Sequence, residues 1–168
     1  FKNNNNDLRN DLGIFNIDEN FDRTSSFRFN KIENFNYFEP ELIFDGSNFI
    51  FFDDKGNIIK FDDKFSIIWK KNFYSKTERK LSPLMSFALN DKSLLVTDSV
   101  SKLFSVDIVT GNLIWSQKSE YPFNSQIKIY KDKFFVVNYK NILKCFFIND
   151  GRECWEVETD ESFTVSKS

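Results

Sequence analysis

Side chains able to do chemistry are few in this chain, and they are scattered. No His occurs among its 168 residues, so it offers neither a Ser-His-Asp nor a Cys-His nucleophile, and it lacks the commonest metal ligand. The five glycines (Gly13, Gly46, Gly56, Gly111 and Gly151) stand apart from one another, so no Gly-rich loop cradles a phosphate. Two acidic pairs, Asp53-Asp54 and Asp62-Asp63, could in principle bind calcium or act as acid and base. Both sit where a strand-like run stops, which is where Asp serves a turn by accepting backbone N–H groups. The turn reading therefore stands for both.

The remaining reactive groups are Cys145 and Cys154, which flank the turn of a hairpin-like segment. With two residues at the hairpin tip, the thiols face each other on adjacent strands and could bridge in an oxidising compartment. A slip of one residue leaves two free thiols instead. Two cysteines are too few ligands for a zinc site.

What positions these residues is a repeat. Trp69, Trp115 and Trp155 are 46 and 40 residues apart, and Pro40, Pro83 and Pro122 are 43 and 39 apart. A period near 40 residues with strand-like sequence between the marks is the signature of a β-propeller blade. After each Pro come four short apolar runs separated by polar turns. In the middle copy these are Leu84 to Leu89, Leu94 to Thr97, Leu103 to Ile108, and Leu113-Ile114-Trp115. Along the third run Leu103, Ser105 and Asp107 alternate with Phe104, Val106 and Ile108, so the two sets share opposite faces of a strand. The expected fold is all-β, a propeller with four-stranded antiparallel blades over about residues 37–74, 82–118 and 121–160. Three blades fall short of the roughly 4 to 8 of a closed ring, so the expectation is an N-terminal part of a larger ring. Residues 1–36 form a polar, Asn-rich lead, read as partly extended or disordered, whose Phe27 to Phe35 portion could supply one further strand.

The segment Leu103-Phe104-Ser105-Val106-Asp107-Ile108-Val109-Thr110-Gly111-Asn112-Leu113-Ile114-Trp115 resembles the tryptophan-docking motif of the PQQ-like, quinoprotein-type propellers. That motif runs small residue, x, Asp, x, x, Thr, Gly, polar, x, x, Trp. The third copy keeps Gly151 and Trp155 but has Cys145 and Phe147 in place of the small residue and the Asp. The first keeps Asp62 and Trp69, lacks the Gly, and is one residue shorter between them. The resemblance implies that each Trp stacks on the next blade's turn and that Asp107 and Thr110 brace that turn. All of these residues are then scaffold, with no catalytic, metal or cofactor role. Trp-Asp and double-Gly signatures of other propeller families are absent from this chain.

Lys plus Arg number 23 and Asp plus Glu 25, for a net charge of −2, which argues against a nucleic-acid surface. No run approaches the roughly 18 apolar residues of a membrane span. The 22 Phe residues, with many Asn, Ile and Lys, fit an AT-rich gene better than an aromatic binding surface. Within the PQQ-like propellers, eroded motifs without cofactor ligands are similar to the BamB-type factors. Membership there implies a non-enzymatic scaffold of the outer-membrane β-barrel assembly machinery on the periplasmic side. It also implies a lipid anchor outside this chain, and two protein partners: the machine's central subunit and unfolded barrel proteins. The alternatives are a fragment of a PQQ-dependent quinoprotein dehydrogenase and a propeller sensor or binding domain. A dehydrogenase would need a quinone pocket, a bound ion and an Asp base; none can be located in this sequence, though the rest of the expected ring could carry them. The charged stretch Lys76 to Lys80 reads as a solvated loop between blades, at most a weak partner contact.

Overall fold

The computed structural model describes residues 42–46 and 48–159; the lead at 1–36 and its expected strand at Phe27 to Phe35 lie outside them. The described residues form three four-stranded antiparallel sheets, each with its strands in chain order. The first holds β1 (Ile43–Asp45), β2 (Asn48–Phe52), β3 (Asn57–Phe61) and β4 (Ile67–Asn72). The second holds β5 (Met85–Leu89), β6 (Ser93–Asp98), β7 (Lys102–Asp107) and β8 (Leu113–Lys118). The third holds β9 (Lys128–Tyr130), β10 (Lys133–Val137), β11 (Ile142–Phe147) and β12 (Glu153–Glu158). These are propeller blades, and each strand pairs with its sequence neighbour because tight turns join them.

Alternation along the strands places the core between the sheets. Ile43, Ile50, Phe52, Ile58 and Trp69 of the first blade pack against Phe87, Leu94, Val96, Phe104 and Val106 of the second. On its other face the second blade turns Ala88, Leu95 and Leu103 towards Phe134, Val136 and Phe146 of the third. Strand β6 is therefore buried along its whole length, as a strand covered on both faces must be. Each fully buried Leu, Ile or Phe contributes about 1.5–3 kcal/mol, so the blades stabilise one another through these layers rather than singly.

Two local features were less expected. The loop from Phe73 to Leu84 contains a single helical turn, α1 (Lys76–Arg79), within the stretch read above as plain loop. Its Ser75 side chain accepts from Glu78 N–H while the Glu78 carboxylate accepts from Ser75 N–H, a capping box. Each blade also carries a β-bulge between its two outer strands, after Lys60, Ser105 and Cys145 respectively.

Candidate functional site

The motif residues meet at the contacts between blades. The Trp69 indole N–H donates to the Ile108 carbonyl of the second blade at 3.2 Å, and Trp115 donates to the Ile148 carbonyl of the third at 2.8 Å. Each ring lies on a glycine of that same turn. Gly111 and Gly151 both have φ +70, and a Cβ built on them would meet Trp69 Cδ2 at 2.7 Å and Trp115 Cε3 at 2.5 Å. Glycine is needed there twice over, for the left-handed backbone and for the approach of the indole.

The turns are braced from within. Asp107 Oδ1 accepts from Thr110 N–H at 2.7 Å, Thr110 Oγ1 at 2.8 Å and Val109 N–H at 3.1 Å. The Thr110 hydrogen bonds hold the Asp107 carboxyl below the usual carboxylate range. In the third blade, with Phe147 in place of that Asp, Asp150 accepts from the Arg152 backbone N–H at 3.0 Å and its Nε at 2.7 Å. Asp62 accepts from Lys64 and Ser66 N–H at 2.9 and 2.7 Å. The acidic residues of these turns are thus bound to the backbone.

The first blade's turn differs. Phe65 lies four residues before Trp69, as Gly111 does before Trp115, and it too is left-handed, at φ 62. Its ring stacks on Phe49 at 5.7 Å. A side chain therefore fills the place where the other two turns receive an indole. Trp155, at the other end of the series, is 42% exposed and leans on Phe135 of its own blade at 5.8 Å.

Asp53 serves a turn as its place at the end of a strand-like run suggested, but its counterparts in the other blades, and other structural residues, escaped the sequence reading. Asp53, Asp98 and Asn138 occupy the same position in successive blades, each Oδ1 accepting two backbone N–H groups of the turn after the second strand. They recur at nearly the period of the Trp residues, a signal that was available but masked by the change from Asp to Asn. Asp98 also accepts from the buried Tyr74 hydroxyl at 2.6 Å. Burial pushes the Asp98 carboxyl up, with the hydrogen bonds only partly opposing it, and burial pushes Tyr74 up as well. Lys60 is buried, with Nζ at 2.7 Å from Asp45 and 2.9 Å from the Ile108 carbonyl that Trp69 uses. Nothing in the sequence pattern marks it, because one partner, Asp45, comes from β1 of its own blade and the other, the Ile108 carbonyl, comes from the next blade.

The cysteines are both unbridged, Cys145 buried and Cys154 half-buried. Cys145 stands directly opposite Trp155, because the bulge shifts the register by one between Cys145 and Phe146. Among the described residues no three His, Cys, Asp or Glu side chains come together as metal ligands. What the assembled residues do is join sheets.

Solved structures share this fold. BamB from Moraxella catarrhalis superposes with a TM-score of 0.60 at 18% identity, covering 71% of this chain and 34% of that one. The computationally designed Ika8 protein gives 0.59 at 12%, covering 70% and 35%. Quinohemoprotein alcohol dehydrogenase ADHIIG from Pseudomonas putida HK5 gives 0.60 at 16%, covering 70% and 20%. The chain thus spans about a third of the BamB structure's length. No curated protein matches the sequence. The family model for outer membrane protein assembly factor BamB matches residues 54–168, more than half of the chain, and the chain belongs to that family.

Proposed function

We propose that this chain is part of a non-enzymatic propeller scaffold, a BamB-like component of the outer-membrane β-barrel assembly machinery. The observation that carries the reading is the family match over 54–168. The fate of the motif residues agrees with it, since Trp69, Trp115, Gly111, Gly151 and Asp107 are all spent on blade contacts and turn bracing. In this reading the protein works at the periplasmic face of the outer membrane, held by a lipid anchor outside this chain. Its partners are the central subunit of the assembly machine and unfolded barrel proteins, met through loops and strand edges that a propeller leaves accessible.

A second reading draws on the likeness to ADHIIG, whose TM-score equals that of BamB. A shared fold does not carry a shared reaction. One experiment separates the two. The tagged protein is purified from its own cells and its companions identified, and the same material is titrated with pyrroloquinoline quinone plus calcium in a thermal-shift assay. Barrel-assembly subunits in the eluate without a quinone-dependent shift support the scaffold. A saturable shift with quinone-dependent dye reduction by an alcohol would replace it with the enzyme.

A further inference from the structure

The three bulges place equivalent residues together. Each leaves two residues of the outermost strand facing one residue of its neighbour. Ile68 and Trp69 face Lys60 in the first blade, and Ile114 and Trp115 face Ser105 in the second. In the third blade Cys154 and Trp155 face Cys145. Only this bulge carries a thiol on both strands. Continued from the Phe146–Glu153 pair, the register would set Cys145 directly opposite Cys154; the bulge puts Trp155 there instead and keeps Cys154 beside it, facing the same residue.

We propose that Cys145 and Cys154 are a cross-strand disulfide site, closed by exchange with a disulfide reagent such as oxidised glutathione. Cys154, half-buried and reachable from solvent, reacts first: its thiolate attacks one glutathione sulfur, the reagent S–S bond breaks, and one glutathione thiolate leaves. Cys145 then loses its proton and attacks Cys154 Sγ, expelling the second glutathione. Two protein thiols are oxidised to one S–S bond, the reagent disulfide is reduced to two thiols, and these carry off the two protons. The Cys145 thiol is pushed up to about 12 by burial and by hydrogen bonding to Cys154. The thiolate is the attacking species, so closure quickens as pH rises. The bond forms beside Trp155, on the face of the third blade turned away from the second.

The test is peptide mapping of the folded chain after incubation with oxidised glutathione across neutral to mildly alkaline pH. Cleavage at Lys144 and Arg152 puts the two cysteines on different peptides. The proposal expects these peptides to emerge joined, lighter by two hydrogens than their sum, with a rate rising with pH. Trp155 fluorescence should be quenched in step, as distinct from Trp69 and Trp115, which lie in other blades. Cys145→Ser should stop at a mixed disulfide on Cys154. Glutathione held on Cys154 of the unsubstituted chain at the end of the reaction, with no joined peptides, would overturn it.

Discussion

The hairpin turns of the first and second blades stand at equivalent positions, yet one is a socket and the other a plug. In the second blade Gly111 at φ +70 leaves room for the Trp69 indole, and the Ile108 carbonyl receives its N–H. In the first blade Phe65 keeps the left-handed backbone and fills the same space with its own ring against Phe49. The first turn is also one residue shorter between its Asp and its Trp. The comparison separates two jobs that a single motif residue performs. Left-handed geometry alone closes the hairpin; the missing side chain is what joins one blade to the next.

That difference can be broken or sharpened by substitution. The largest effect should come from removing an indole from its socket. Trp115→Ala should cost about 3–5 kcal/mol in denaturant unfolding, and a loss under about 0.5 kcal/mol would contradict the docking role. Filling the socket should come next. Gly111→Ala adds a clash with Trp69 to left-handed strain and should cost about 2–4 kcal/mol, measured the same way. Emptying the plug should matter little. Phe65→Gly loses an aromatic pair worth about 0.5–1.5 kcal/mol and relieves left-handed strain of about 1–2 kcal/mol, so its unfolding midpoint should move by the equivalent of about 1 kcal/mol or less.

The buried Asp98 and the turn acid Asp107 should show opposite pH dependence. The Asp98 carboxyl is raised in the fold, so its contribution is present below the unfolded value near 3.9 and is lost as pH rises through the folded value. Asp98→Asn, which copies Asn138 of the third blade, should flatten that fall in stability-against-pH curves. Asp107 is lowered, so its contribution is present above about 3.9 and is lost as pH falls through the folded value. Asp107→Ala should remove that acid-side loss without any catalytic phenotype.

The blade pattern was legible because it is local and periodic. Four runs, a turn and a Trp recur, and strand alternation already assigns Phe104 and Leu103 to opposite faces. Gly111 was legible because an isolated Gly inside a hairpin implies a positive φ. Lys60 was not, since its burial depends on the Ile108 carbonyl 48 residues away in sequence. The Tyr74–Asp98 pair likewise joins the loop after one blade to a turn of the next. The bulges were hidden because register offsets leave no mark in composition. The single helical turn was written in Ser75 and Glu78, but it is too short to show a periodicity.

The measurement closest to the central claim is a double-mutant cycle between Trp69 and Gly111. If the indole occupies the space that the glycine leaves open, Gly111→Ala should become cheap once Trp69 is Ala. The two substitutions should then couple by about 1–3 kcal/mol. Additivity within about 0.5 kcal/mol would mean that ring and turn do not meet, and the blades would have to be held together some other way.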